Sequence, residues 1–277
     1  MATLGYLDTF HNNLIIILDA IPDGEITAHR LNQDLQDCFN EIGEISYCNY
    51  ERVKNADEFR GVLSALIAYA KDGVFPVLHI EAHGVKGVGL KVGDDIITWR
   101  ELYDFSLLIN TESKNNFGLV LSSCYGNELS KLVRIDQPCP FRFVIGHQKE
   151  VRAGLLRDQM KLFYNEIIRS QRLDNALKNL DDGFVWFLCS RYFLVNVAAF
   201  FRKNSAGKPA KIIREEALTK FLDGRLNNRH TRRIGRKKIK ELLDSPEWFV
   251  TQYMKNFLHG QVPVTYEQLR AFYLNIP

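Results

Sequence analysis

The sequence predicts an α/β fold in which a mostly parallel sheet is sandwiched by helices. Three observations carry that expectation. Continuous Ile-, Val- and Leu-rich runs mark strands buried on both faces, amphipathic runs separate them, and strand and helix alternate along the first 150 residues. Composition agrees, since 46% of the 277 residues are hydrophobic and 25% charged, which excludes a disordered, collagen-like or low-complexity chain. The length admits two average domains.

Residues 13–21 (NLIIILDAI) read as a buried strand that Pro22-Asp23-Gly24 stops, and ligands of parallel sheets gather at such carboxyl ends. Thr27 is the expected N-cap of a helix to Phe39, in which Leu31, Leu35 and Phe39 recur at helical spacing. A short strand is expected over 45–50. Residues 56–71 then form an amphipathic helix, with Phe59, Val62, Leu63, Leu66 and Ile67 on one side and Asp72-Gly73 closing it. The third strand, 74–82, runs directly into His83-Gly84. Residues 90–97 suggest a hairpin around Gly93-Asp94, and Thr98 caps a helix opening with Trp99-Arg100-Glu101.

The fourth strand, 117–123, leads into Cys124-Tyr125-Gly126 and a helix from Asn127, with a fifth strand at 141–146. Beyond Val151 the pattern turns helical: Leu155, Leu156, Met160, Phe163, Tyr164 and Ile167 share a face, and 173–180 follows. Residues 184–201 are largely apolar, but Ser190, Arg191 and Asn196 interrupt them, and a central Arg costs roughly 2.5–3.5 kcal/mol on insertion scales. That segment is expected to be buried in protein, with a strand-like start and a helical end from Val195.

Residues 204–209 (NSAGKP) are the best linker and divide the expected domains, 1–203 and 204–277. Helical stretches are expected at 215–222, 237–243 and 248–258, which makes the extension basic and mainly helical. Net charge is only +3, yet 201–240 hold fourteen Lys/Arg against Glu215, Glu216 and Asp223, a local +11 that leaves −8 for the remainder. The densest part is Arg229-His230-Thr231-Arg232-Arg233-Ile234-Gly235-Arg236-Lys237-Lys238. It fits a solvated or docked helix face, or a contact for nucleic acid or an acidic protein through 208–240, with Arg232, Arg233, Arg236, Lys237 and Lys238 as partner-binding residues.

Five widely spaced cysteines without a C-x-x-C or Cys/His cluster suggest neither a disulfide framework nor a zinc site. They point to a reducing compartment. The first residues lack the charged and apolar segments of a secretory signal, so a cytoplasmic protein with no membrane association is expected.

Two strand ends carry the chemistry: His83-Gly84 after the third strand and Ser122-Ser123-Cys124-Tyr125-Gly126 after the fourth. A thiolate is an effective nucleophile, and a nearby imidazole takes up the proton and later returns it to a leaving amine. Gly84 offers an unobstructed N–H, and the Cys124 amide is a second donor for an oxyanion. Alternation puts His79 and Glu81 on the face of His83, making Glu81 a candidate to orient the imidazole and His79 a core histidine.

The run Val77-Leu78-His79-Ile80-Glu81-Ala82-His83-Gly84, then Gly89 to Asp94, then Leu119-Val120-Leu121-Ser122-Ser123-Cys124-Tyr125-Gly126 resembles the CHAT-type branch of the caspase-like cysteine peptidases. That group shares its dyad with caspases, metacaspases, legumain and separase. The similarity extends over about residues 13–190, and the remaining C-terminal part resembles no known family. It implies a caspase-like fold and a cysteine endopeptidase, with His83 as general base and acid, Cys124 as nucleophile and Gly84 in the oxyanion hole. It implies no cofactor and no metal.

The resemblance also implies limited proteolysis of particular protein substrates under control by a regulatory protein or complex, in settings such as bacterial stress or antiviral defence. It places the residue that lines the P1 pocket at Ser122, where basic-specific relatives carry Asp and caspases carry Gln. The neutral serine departs from both and leaves the P1 preference open. Asp19 or Asp23, at the end of the first strand, would favour Arg or Lys at P1, and His147, ending the fifth strand, is a further cleft candidate. The alternative is a catalytically silent scaffold whose basic region binds nucleic acid or an acidic protein.

Overall fold

A computed structural model describes residues 11–22, 26–43, 48–149, 153–181, 183–204, 207–224, 227–244 and 246–274. Strand β1 (Leu14–Asp19) is almost wholly buried, and helix α1 (Thr27–Glu41) buries Leu31, Leu35, Cys38 and Phe39 at helical spacing. Ile26, not Thr27, occupies the N-cap position, and no side chain caps it. Thr27 lies inside the first turn because its hydroxyl is drawn across to the Glu81 carboxylate. After β2 (Cys48–Arg52), helix α2 (Ala56–Lys71) starts at Asn55, whose side chain accepts the Glu58 N–H at 2.9 Å while Glu58 reaches back to the Lys54 N–H at 2.8 Å.

Strand β3 (Pro76–Glu81) is buried throughout and leads into a small antiparallel sheet of β4 (His83–Val85), β5 (Gly89–Val92) and β6 (Asp95–Thr98). The expected hairpin turns at Gly93-Asp94, where Gly93 takes the positive φ, 61°, that a two-residue connection requires. Thr98 caps α3 (Trp99–Glu112) by accepting the Glu101 N–H at 3.1 Å. Then come β7 (Gly118–Ser122), a 3-10 turn over Gly126–Leu132 where a helix was expected, β8 (Phe143–His147), α4 (Ala153–Ser170), α5 (Leu173–Ala176) and β9 (Phe184–Leu188).

The main sheet has the order β2-β1-β3-β7-β8-β9, parallel except for β9, which runs antiparallel to β8. The chain steps from β1 outward to β2, then back across to β3, so right-handed crossovers put α1 on one face and α2 and α3 on the other. On the α1 face, Ile15, Ile17, Val77, Val120, Phe143 and Ile145 pack with Leu31, Leu35, Phe163 and Tyr164, which brings α4 to the same side. Residues of opposite parity, such as Ile16, Leu18, Leu78, Ile80, Leu119 and Leu121, are equally buried. That is the mixed α/β, mostly parallel architecture expected, and its reversal of direction marks the carboxyl ends near β1 and β3 as the place for a ligand.

The chain divides into two compact units, one of them Gly5–Cys189 and the other containing Ser190–Pro277. The division falls earlier than the expected 203/204 because α6 (Cys189–Asn204) packs with the helices that follow it, stacking Tyr192 and Phe193 on Phe257. Those helices are α7 (Gly207–Leu222), α8 (Arg229–Asp244), α9 (Pro246–Phe257) and α10 (Tyr266–Leu274). Gly235 lets α8 approach α7, since a Cβ there would lie 2.7 Å from a Phe221 ring carbon. No helix among the described residues is long and apolar enough to cross a membrane.

Candidate active site

Strands β3 and β7 are neighbours, and their last paired residues are Glu81 and Ser122. His83 and Cys124 each lie two positions further on, His83 opening β4 and Cys124 in the turn that follows β7. The turns that carry them touch. A Cβ on Gly84 would stand 1.7 Å from the Cys124 carbonyl oxygen and 2.7 Å from its carbonyl carbon, so only glycine permits this approach. The Gly87 N–H, just past β4, donates to Glu128 Oε2 at 2.5 Å, a second tie between the two loops.

Tyr125 turns the chain with φ of 61°, a left-handed conformation that a bulky side chain rarely adopts. The turn is pressed against the sheet: a Cβ on Gly126 would lie 2.7 Å from the Leu121 Cβ, and one on Gly146 would lie 2.8 Å from the Gly126 carbonyl carbon. His83 is exposed and Cys124 half-buried. The other four thiols, Cys38, Cys48, Cys139 and Cys189, are buried. Burial pushes Cys48 up to about 12, raises Cys139 well above the ordinary thiol range, and raises Cys38 as well.

Beneath the pair runs a polar row. Arg52, Asp19, Glu81 and Ser122 hold matching register positions on one face of four successive strands. His147 follows beside Ser122, one residue past the Leu121–Gly146 pair. Asp19 is buried and both its oxygens are engaged, by the Ile21 N–H at 3.1 Å and the Tyr50 hydroxyl at 2.6 Å. Burial, with that hydrogen bond, pushes the Tyr50 phenol up to about 12. Asp23 lies outside the described residues.

Glu81 does not meet His83 through any hydrogen bond. The N-terminus of α1 overlies its strand end, so its carboxylate accepts the Thr27 hydroxyl and stands 3.5 Å from His79 Nε2. His79 is a core histidine, fully buried with Nδ1 3.1 Å from the Tyr164 hydroxyl. Ser122 is buried, and its hydroxyl has no hydrogen-bond partner. His147 is buried edge-on to Phe184 at 4.4 Å between ring centres; burial lowers its pKa, which the Asp181 carboxylate partly opposes.

The expected partner-binding residues Arg232, Arg233, Arg236, Lys237 and Lys238 are all exposed on α8. No protein-family model matches this chain, and no curated protein is significantly similar to it in sequence. Among the described residues, no group of three or more His, Cys, Asp or Glu is placed to hold a metal ion. Sequence reasoning did not single out Tyr50, Arg52 or Glu128, and gave Thr27 only as a helix cap. Strand parity would have found Arg52 and Tyr50, whereas Thr27 and Glu128 act through contacts that only the folded chain creates.

Proposed function

We propose that the chain is a cysteine endopeptidase of the caspase-like, CHAT-type group, with Cys124 as nucleophile and His83 as general base and acid. The observation that carries this reading is the packing of Gly84 on the Cys124 carbonyl. It brings an exposed imidazole and the one thiol that is not buried to adjacent strand ends.

In this mechanism His83 takes the Cys124 proton, and Sγ attacks the scissile carbonyl carbon to form a C–S bond. The carbonyl oxygen becomes an oxyanion that accepts from the Gly84 and Cys124 amides. The imidazolium then gives its proton to the nitrogen as the C–N bond breaks, leaving an acyl thioester. Water, deprotonated by His83, releases the acid and restores the thiol.

Limited proteolysis of protein substrates, control by a regulatory protein and a cytoplasmic stress or defence setting belong to the same proposal by family analogy. Asp19 is already held by Tyr50 and Ile21, so a basic P1 preference draws little support from it. The test is digestion of a diverse peptide library by wild type, Cys124→Ala and His83→Ala, with sequencing of the new N-termini. Cuts made by wild type and absent from both variants support the reading; identical patterns from all three overturn it.

A further inference from the structure

We propose that α8 is a binding helix for duplex DNA, engaging phosphates through a basic surface that wraps most of its circumference. Arg229, Arg232, Arg233, Arg236, Lys237 and Lys238 are all exposed, and only Thr231, Gly235 and Ile239 of this stretch are drawn toward neighbouring helices. At roughly 100° per residue, the cations from Arg232 round to Lys238 cover an arc of about 240°. A flat acidic surface meets one side of such a helix. A groove with phosphates along both walls meets nearly all of it, and the B-form major groove, about 12 Å wide, admits an α-helix whereas the narrow A-form RNA groove does not.

Much of this charge finds no acidic partner among the described residues. Residues 224–240 contain no Asp or Glu, and the ion pair that Arg236 makes, with Glu215 at 3.5 Å, is exposed on both sides. Arg229, Arg232, Arg233 and Lys238 make none among the described residues. The first turn of α8 carries no acidic residue, so Arg229 and Arg232 stand where the helix dipole is already positive. Asn228 caps that end by accepting the Thr231 N–H at 2.9 Å, so the helix is set up to begin there in spite of the unfavourable charge. Cations placed against the dipole bring no internal benefit; a polyanion with one charge per about 1.7 Å of axis supplies the missing counter-charge.

The experiment is fluorescence anisotropy of a labelled 20-base-pair mixed-sequence DNA duplex with the full chain between 50 and 200 mM NaCl. The expected log K falls linearly with log salt at a slope of about −3 to −5, from about 0.9 per phosphate neutralised. Arg229→Gln/Arg232→Gln/Arg233→Gln spares the Glu215 pair and should reduce the slope by about 2 to 3, while the same three positions changed to Lys should keep it. A charge-matched variant, Lys211→Gln/Lys220→Gln/Lys255→Gln, removes exposed cations from α7 and α9 and should leave the slope nearly intact. No binding at 50 mM salt, an unchanged slope in the Gln triple, loss in the Lys triple, or equal loss in the α7/α9 control would each overturn the proposal. So would duplex RNA or polyglutamate binding as tightly as the DNA.

Discussion

Replacing Gly84 by alanine puts the dyad geometry directly at stake. The new methyl would sit 1.7 Å from the Cys124 carbonyl oxygen, against a closest C···O approach of roughly 3.3 Å, so the two strand ends must part by about 1.5 Å. The obstacle is backbone at both ends, and no side-chain rotation relieves it. Overpacking of this kind costs about 1–3 kcal/mol, or roughly 2–12 °C in Tm for a domain of this size. A misplacement near 1 Å lowers turnover on the order of 100-fold, so peptide cleavage by Gly84→Ala should fall by at least that factor. Gly61→Ala is the matched control, because Gly61 lies inside α2 with nothing within 4 Å of the new methyl. It should raise stability by about 0.5–1 kcal/mol and leave cleavage unchanged. Differential scanning fluorimetry and initial rates on a peptide from the library read both quantities. A Gly84→Ala protein that melts with wild type refutes the contact, and one that melts early but cleaves normally refutes its role in catalysis.

Removing the Glu128 carboxylate frees the Gly87 N–H, so Glu128→Ala should lower kcat about tenfold with little change in KM, and Glu128→Gln, which keeps an acceptor, should recover most of it. Iodoacetamide should alkylate Cys124 alone in the native protein and all five thiols in urea; comparable native labelling of Cys38, Cys48, Cys139 or Cys189, read by mass spectrometry, would refute the burial pattern. His147 binds its proton less readily folded than unfolded, so stability should drop as pH falls below the ordinary value of 6.5. Urea titrations at pH 7.5 and 5.5 should show a smaller drop for His147→Gln than for wild type. Ser122→Ala deletes a buried hydroxyl without a partner and should leave stability unchanged or raise it by up to about 1 kcal/mol; a loss of 2 kcal/mol or more would show that the hydroxyl is bonded.

The strands were legible because burial on both faces writes them as continuous apolar runs, and β1, β3, β7 and β8 fall within the expected segments to a residue or two. Helix α2 and the Thr98 cap depend on neighbouring residues alone, and both are found where expected. What periodicity leaves out is direction and distance. Nothing in Phe184–Leu188 says that β9 pairs antiparallel, and β4, with only three residues, is too short to show a period. Thr27 reads as a cap from its neighbours, but its hydroxyl bonds Glu81, fifty-four positions away. Helix α10 had a usable signal, since Thr265 accepts from the Gln268 N–H at 3.2 Å and Gln268 accepts from the Thr265 N–H at 2.8 Å, a capping box. Of the candidate site, the neighbouring positions of His83-Gly84 and Cys124 past β3 and β7 were readable from strand ends. The partners of Asp19 and Glu81 were not, because they are set by how α1 and β2 meet those ends.

Backbone strain at this edge bears on the choice between the proposed active site and an inert scaffold. Among the described residues, five other than glycine have positive φ: Lys114, Asn115, Tyr125, Gln171 and His259. Lys114, Gln171 and His259 follow α3, α4 and α9 within two positions, Asn115 follows Lys114, and a left-handed residue there is an ordinary way to end a helix. Tyr125 ends no helix; it opens the 3-10 turn, its carbonyl accepting the Glu128 N–H at 2.9 Å, so C-terminal capping does not account for its left-handed backbone. The residue before it is the accessible thiol, and Ser122 and Ser123 just upstream bury hydroxyls that find no partner. Unpaired atoms also occur on α3, at Trp99, Tyr103 and Ser106, but there the backbone is regular helix. Among the described residues, strain, orphaned hydroxyls and a thiol that is not buried coincide only on the Cys124 turn. Each lowers stability, and a scaffold would lose nothing by replacing them with apolar residues and a relaxed turn. In the proposed mechanism that turn would present Sγ and its own amide toward the same carbonyl group, a use for the cluster that the scaffold alternative does not offer.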